Sequence, residues 1–202
     1  MAKNPTNRPD LSPHPAPGDL KIVQDYLNTR DPETGDDHLS SPEALTAWLG
    51  RWPSLAFDGT LDEAAWRDAL AARSGLRALI AQHGSARRPR GAADGAAVEA
   101  LNQALRGVRP ALHFATDGSL RLQSSDTGWA GALGRLILIV SAAIESGHWQ
   151  RLKACHNEAC QLVFFDAARN RSGKWCTGRK CGNRINARTY RRRGPVHWRL
   201  GS

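Results

Sequence analysis

Cysteine is absent from this 202-residue chain before residue 155, and only two acidic residues, Glu158 and Asp166, lie beyond residue 150. Long apolar runs are also missing: the longest, Leu136–Ile144, is about half the ~20 residues that a membrane-spanning helix needs. The first residues contain no apolar stretch of the kind that a secretory signal requires. These absences argue against a secreted or membrane protein and predict a cytoplasmic chain, in which thiols stay reduced.

The sequence motifs that commonly mark catalysis or nucleotide binding are missing as well. The chain has no G-x-G-x-x-G, no P-loop, no G-x-S-x-G and no H-E-x-x-H, and its histidines are scattered. We therefore predict that the protein is not an enzyme. One alternative stays open: a small-molecule-binding protein or enzyme whose site lies in the N-terminal part, with the C-terminal part as an accessory.

Charge divides the chain into two parts. Hydrophobic residues make up 41% of the chain and charged residues 23%, so a packed core can form and global disorder is excluded. Residues 151–202 contain 13 Lys and Arg against two acids, a net charge of +11, whereas residues 1–150 carry a net charge of −2. A polycationic segment that also contains every cysteine predicts a separate module with an acidic partner.

The N-terminal part is predicted to be mostly helical, with one β-hairpin. Five of the eleven prolines lie in residues 1–17, which we expect to form a disordered tail. Apolar spacing predicts a helix from residue 19, a helix opened by Ser41-Pro42-Glu43, and further helices over 94–107 and 129–146. A long helix to about residue 82 is expected to open with a capping box, Thr60-Leu61-Asp62-Glu63.

Two connections complete this part of the prediction. Residues 84–93, which contain Arg87, Arg88 and Arg90 around Pro89, are expected to form a mobile loop. Alternating residues over 110–123 predict the hairpin, with its turn at Asp117-Gly118. The fold class is therefore α+β, with a mostly helical N-terminal domain.

The four cysteines, Cys155, Cys160, Cys176 and Cys181, are spaced C-x4-C-x15-C-x4-C. Thiolates suit zinc, and pairs two to four residues apart can each form a tight knuckle at one edge of a tetrahedron. Between the pairs, residues 162–165 are expected to form one strand, residues 170–173 a turn, and residues 174–175 the returning strand. With a helix after Cys181, this order predicts a small treble-clef-like zinc finger.

Three alternatives to a four-cysteine zinc site remain: unpaired structural thiols, an iron–sulfur cluster, and His156 as a ligand in place of Cys155. The cysteine spacing favours a zinc site over these alternatives. Because four protein ligands fill all its positions, the ion should be structural rather than catalytic. Removing it should unfold the module, since about 50 residues build little core alone.

A basic segment follows the last cysteine. On a helix, Arg184, Arg188 and Arg191 share one face, where their mutual repulsion would be relieved by a polyanion. Arginine also forms paired hydrogen bonds with phosphates and guanine edges. The plainer alternative is a solvated basic helix. The candidate DNA-binding residues are Arg171, Lys174, Arg179, Lys180, Arg184, Arg188, Arg191 and Arg192.

The C-terminal residues resemble a known family. The cysteine pairs, Arg169-Asn170-Arg171-Ser172, Trp175 and the tetrapeptide Cys181-Gly182-Asn183-Arg184 are similar to a CGNR-type zinc finger, which is named for that tetrapeptide. In that family the finger usually follows a helical ABATE domain, and residues 25–31 resemble its opening helix. The resemblance implies zinc binding by the four cysteines, DNA binding, and a role in stress-induced transcriptional regulation.

These observations predict a bacterial, zinc-dependent, DNA-binding transcriptional regulator, cytoplasmic and associated with the nucleoid when bound. RNA is the alternative partner, because similar fingers with basic helices occur in translation proteins. The N-terminal domain would sense a signal, such as a small-molecule effector, or assemble the protein. We expect a tail over 1–17, an ABATE-like domain over 18–148, a CGNR-type finger over 149–195 and a tail over 196–202.

Overall fold

The structure of the chain is a computed structural model, and it describes residues 14–83, 94–124, 127–183 and 187. The helices are α1 (Leu20–Leu27), α2 (Pro42–Leu49), α3 (Glu63–Ile80), α4 (Gly95–Ala104) and α5 (Gly128–Glu145). The strands are β1 (Pro110–Phe114), β2 (Leu120–Ser124), β3 (Leu152–Ala154) and β4 (Val163–Phe165). The expected α+β class is confirmed. The loop predicted over 84–93 lies outside the described residues.

Short polar residues fix where the helices begin. The side chain of Ser41 accepts a hydrogen bond from the amide of Ala44 at the start of α2, as the sequence predicted. The start of α3 differs from the prediction, because its N-cap is Asp62 rather than Thr60. The Asp62 carboxylate accepts from the amide of Ala65 at 2.8 Å, which satisfies a donor that the first helical turn leaves open.

Helix α5 is the central helix of the N-terminal part. By length and composition alone it is apolar enough to cross a membrane. However, eight of its residues are buried in the protein, among them Leu133 and Leu136, which are fully enclosed. Gly147 follows the helix with φ of +70°, a left-handed conformation in which glycine is favoured. The contacts of α5 with α1 and β2 make it a core helix.

The hairpin forms as predicted. Strands β1 and β2 pair antiparallel with Leu112 opposite Leu122 and Phe114 opposite Leu120. The turn contains Gly118 with φ of +80°. Leu112 and Phe114 are largely exposed, so β1 contributes little to the core.

The second strand pair corrects the sequence prediction. Strand β4 pairs antiparallel with β3, with Ala154 opposite Val163 and Leu152 opposite Phe165. It does not pair with residues 174–175, which were expected to form the returning strand and are not in a strand. The first cysteine pair therefore lies in the connection between two paired strands. Strand β3 was missed because Leu152-Lys153-Ala154 lacks the β-branched and aromatic residues that indicated β4.

One hydrophobic core extends from the helices into this strand pair. Trp149, Leu152 and Val163 are buried in the same cluster as the α1 and α5 core residues. Residues 14–17 also join the folded part, since Ala16 is buried and its amide donates to Gln24 Oε1. The expected disordered tail therefore does not extend to residues 14–17, and residues 1–13 lie outside the described residues.

Candidate metal centre

Four cysteine side chains converge near the C-terminal end of the described residues. The Sγ atoms of Cys155, Cys160, Cys176 and Cys181 all lie within 4.8 Å of one another, and all four residues are buried. Cys176 Sγ lies 3.6 Å from Cys160 Sγ and 3.7 Å from Cys181 Sγ. These separations are far too long for a disulfide, whose sulfurs lie about 2.05 Å apart.

The geometry fits a single zinc ion. Four thiolates at about 2.3 Å from zinc in a tetrahedron have sulfurs about 3.8 Å apart. An iron–sulfur cluster divides its four cysteines between two or four irons, so sulfurs bound to different irons would lie farther apart than ligands of a single ion. The four cysteines thus fit one structural zinc ion. The ion would cross-link the two knuckles. It would have a structural role, because four protein ligands leave no open position for catalysis.

The first knuckle is set by the β3–β4 turn. The amide of Cys155, directly after β3, donates to the carbonyl of Leu162 at 2.9 Å and so extends the ladder by one pair. The amides of Cys160 and Gln161 both donate to the carbonyl of Asn157. Gln161 has φ of +46°, a conformation that costs a non-glycine residue energy, and it turns the chain back into β4.

The second knuckle is a short π-helical turn, Gly178–Gly182. The amides of Cys181 and Gly182 both donate to the carbonyl of Thr177, which brings Cys181 back towards Cys176. A Cβ atom on Gly182 would lie 3.3 Å from Cδ1 of Trp175. The glycine of the Cys-Gly-Asn-Arg tetrapeptide therefore allows the chain to pass closely over this indole ring.

His156 has a packing role in this structure. Its ring meets Trp175 edge to face, with centroids 5.7 Å apart, and its amide donates to the carbonyl of Lys174 at 2.9 Å. Among the described residues, the metal-binding cluster includes Cys155 and leaves His156 out. The alternative of His156 as a ligand therefore gains no support.

The electrostatics of the cluster call for a cation. Hydrogen bonds from Cys160 and Cys176 lower the pKa of the Cys155 thiol to about 4. Hydrogen bonds with Cys155 and Cys160, together with burial, raise the pKa of the Cys176 thiol. Without a cation, ionisation of the Cys155 thiol therefore disfavours ionisation of the Cys176 thiol. A divalent metal ion removes this conflict because it binds all four sulfurs as thiolates.

Asn157 is a polar neighbour of the cluster that the sequence prediction missed. Its side chain is buried, and Nδ2 points at Cys181 Sγ over 3.5 Å. Its Oδ1 accepts from the amide of Ala159, which fixes which end of the carboxamide faces the sulfur. An N–H donor to a thiolate stabilises its charge and orients the ligand. Only its position inside the C-x4-C spacing could have suggested this role.

A basic loop, residues 167–174, lies beside the metal centre and is held by a buried ion pair. Lys153 Nζ donates to Asp166 Oδ2 at 2.7 Å and also to the carbonyl of Arg171. Asp166 Oδ2 accepts from the amide of Gly173 at 2.8 Å. A Cβ on Gly173 would lie 2.7 Å from Asp166 Cγ, so this approach requires glycine.

Two of the candidate DNA-binding residues lie on the basic loop, and both are exposed: Arg171 and Lys174. Arg171 has φ of +53°, which the hydrogen bond from Lys153 to its carbonyl helps to hold. Arg179 and Lys180 belong to the π-helical turn, where only their backbone is described. The remaining candidates lie outside the described residues; they are Arg184, Arg188, Arg191 and Arg192. Nearly all of the helix predicted after Cys181 lies outside them as well.

Comparison with known families agrees with this architecture. The family model of the CGNR zinc finger matches residues 151–194. The ABATE model, whose description reads "Putative stress-induced transcription regulator", matches residues 20–146, more than half of the chain. No curated protein matches the chain. Both predicted resemblances are confirmed, and the chain belongs to the ABATE family and carries a CGNR zinc finger.

Proposed function

We propose that the protein is a cytoplasmic bacterial transcriptional regulator that binds duplex DNA through its zinc-loaded finger. In this proposal the zinc ion is structural and the protein is not an enzyme. The ABATE family description supports a regulatory role, and the four-cysteine cluster supports the need for zinc. The N-terminal domain senses a signal, such as a small-molecule effector, or assembles the protein.

The observation that carries the proposal is the basic loop beside the metal centre. Arg171 and Lys174 are exposed there, and so is Arg169, while the acid that precedes the loop, Asp166, is buried and paired with Lys153. Residues 167–174 contain no acid, and the other acid of the finger, Glu158, is exposed on the first knuckle. Arginine and lysine placed in this way neutralise phosphates and release condensed counterions, which supplies most of non-specific DNA affinity.

The sequence beyond the loop extends the same surface chemistry. Residues 151–202 carry a net charge of +11, and the candidates Arg184, Arg188, Arg191 and Arg192 all follow the last cysteine directly. In the proposal these arginines contact phosphates or base edges, whereas the residues of the loop and knuckle contact phosphates. Trp175 packs the finger through its contact with His156 rather than stacking on bases.

A binding titration on duplex DNA at several salt concentrations tests the proposal. Zinc-loaded protein should bind with an affinity that falls steeply with salt, and chelation of zinc should abolish binding. The double variant Arg171→Gln, Lys174→Gln should lower the log–log salt slope by up to about 1.8, since each phosphate contact contributes about 0.9. A salt-independent affinity would contradict the proposal.

The control removes two charges elsewhere. Arg67 and Arg106 are exposed on the N-terminal domain, with 74% and 76% of their side-chain surface accessible. The double variant Arg67→Gln, Arg106→Gln should leave the slope unchanged. A parallel titration with structured RNA separates the two nucleic acids: tighter binding to RNA than to DNA would contradict the proposal and favour an RNA-binding protein.

A further inference from the structure

The strand pair of the zinc finger has two outer edges, and its N-terminal neighbours hydrogen-bond to both. In the antiparallel ladder, the amide of Cys155 donates to the carbonyl of Leu162, so the alternate residues of β4, Val163 and Phe165, direct their backbone groups outward. A buried strand edge of this kind needs partners for each polar group. In this chain no third strand supplies them, within the described residues.

The side chain of Asn28, at the end of α1, takes the place of a strand residue. Its Oδ1 accepts from the amide of Val163 at 2.8 Å, and its Nδ2 donates to the carbonyl of Val163, also at 2.8 Å. A carboxamide has one acceptor and one donor end, as a peptide group does, so one side chain completes both bonds. Asn28 and Val163 are both buried, which makes these bonds costly to lose.

Neighbouring groups continue the same pattern. Gln24, one helical turn before Asn28, donates from Nε2 to the carbonyl of Val163 at 3.1 Å. The amide of Phe165 donates to the carbonyl of His14 at 3.1 Å. On the other edge, His83 Nδ1 hydrogen-bonds to the carbonyl of Leu152 at 2.9 Å.

Arg77 connects α1 with the first zinc knuckle. Its guanidinium donates to the carbonyl of Leu27 at 2.6 Å and to the carbonyl of Gln161 at 2.8 Å. Gln161 directly follows the zinc ligand Cys160 and has a positive φ. The residue that turns the chain out of the knuckle is therefore hydrogen-bonded to α3, and through Arg77 to the end of α1.

We propose that α1 and α3 act as the missing strand of the zinc finger, so that zinc binding and docking of the finger on the N-terminal domain are one coupled event. Zinc fixes the knuckle that presents Gln161 and Val163, and Asn28 and Arg77 stabilise that arrangement. By linkage, undocking of α1 from the finger lowers zinc affinity by some factor. Zinc binding then favours the docked position of α1 by that same factor. This coupling does not depend on the proposed binding of DNA.

Zinc affinity of the full chain tests the coupling. The reduced apoprotein competes for zinc with a chromophoric chelator of known affinity. Asn28→Ala leaves the buried amide of Val163 without an acceptor, whereas the carbonyl of Val163 keeps its bond from Gln24. Because a buried donor without a partner is costly, this variant should weaken zinc binding about tenfold. Arg77→Met, which keeps the aliphatic stem, should also weaken it. Asn102→Ala, at an exposed position of α4, should leave it unchanged.

The result that overturns the proposal is a lower melting temperature for zinc-loaded Asn28→Ala with an unchanged zinc affinity, which would make Asn28 a merely structural residue. Hydrogen exchange on the unaltered protein gives a second measurement that needs no variant to fold. Zinc should raise amide protection in residues 20–28 and at the end of α3 as well as in residues 152–182. Protection confined to residues 152–182 would equally overturn it.

Discussion

At the scale of single residues, Lys153 and Asp166 form a buried ion pair that positions the basic loop beside the metal centre. Each side chain is at most 5% exposed. Burial alone would raise the pKa of the Asp166 carboxyl, but hydrogen bonds from Lys153 and from the amides of Ala168 and Gly173 outweigh burial and lower it. The Asp166 carboxyl therefore stays ionised. Asp166 and Lys153 both hydrogen-bond to the basic loop.

We predict that Lys153→Met destabilises the protein by about 3–5 kcal/mol, because it leaves a buried carboxylate without its cation. Chemical denaturation of the zinc-loaded protein measures this change. The matched control is Arg67→Met, which removes one partner of an exposed pair with Glu63 at 3.5 Å and should cost about 0–1 kcal/mol. Equal losses in the two variants would contradict the role assigned to Lys153.

A second ion pair, between Arg73 and Asp37, makes stability depend on pH. Arg73 donates two hydrogen bonds to the Asp37 carboxylate, at 2.7 and 2.6 Å. Burial would raise the pKa of Asp37, but hydrogen bonds from Arg73 and from the amide of Leu39, together with the charges of Arg73 and Arg30, outweigh it. The pKa therefore lies below its ordinary value of 3.8. A lowered pKa in the folded state stabilises the protein above pH 3.8, and this stabilisation disappears as the pH falls towards the folded value.

Asp37→Asn should therefore lose about 2 kcal/mol at neutral pH, the contribution of hydrogen bonds to a charged group. Its free energy of unfolding should also fall less steeply than that of the unaltered protein below about pH 4. Urea denaturation between pH 7 and pH 2 gives both quantities. Parallel curves for the two proteins throughout that range would show that Asp37 does not titrate differently on unfolding.

At the scale of secondary-structure elements, glycine sets the distance between α3 and α4. A Cβ on Gly75 would lie 2.5 Å from Leu101 Cβ and 2.7 Å from the carbonyl oxygen of Ala97. Neither atom is the end of a flexible side chain, so the helices themselves would have to separate. Alanine normally favours a helix over glycine by about 1 kcal/mol, and this position reverses that preference.

Gly75→Ala should destabilise the protein by about 1–3 kcal/mol, the usual cost of overpacking, as measured by thermal or chemical unfolding. Gly95→Ala is the control, because Gly95 also lies in a helix but has nothing within 4 Å of its Cβ position. It should be neutral or slightly stabilising. A stabilising effect of both substitutions would mean that α3 and α4 pack less closely than described.

Comparison of the predicted and observed elements shows which of them the sequence could predict. The helices, the β1–β2 hairpin and the four cysteines were predictable, because periodicity, caps and cysteine spacing are local signals. Strand β3 was not, because its residues, Leu-Lys-Ala, have no β-branched or aromatic side chain to indicate a strand. The role of Asn28 was not predictable either, because its partner, Val163, is 135 positions away in the sequence. The role of Asp166 was not predictable either, because its partner, Lys153, lies 13 positions earlier, on β3.

At the scale of the whole molecule, the finger and the N-terminal domain share one core and one set of strand-edge hydrogen bonds. Val163 belongs to the main core cluster, whereas the zinc cysteines and Phe164 form a second cluster. The metal centre therefore lies beside the main core rather than on a separate linker. In the proposed coupling, changes in the helices reach the finger through Asn28 and Arg77.

The central claim, that the zinc-loaded finger reads duplex DNA, is tested most directly by selection from a random duplex pool. The full-length, zinc-loaded protein is used at physiological salt, with chelated protein in parallel. The account predicts strong enrichment of one sequence motif with zinc and none after chelation. Salt-sensitive binding without any enriched motif would contradict it, because the protein would then be a non-specific polycation rather than a sequence-specific regulator.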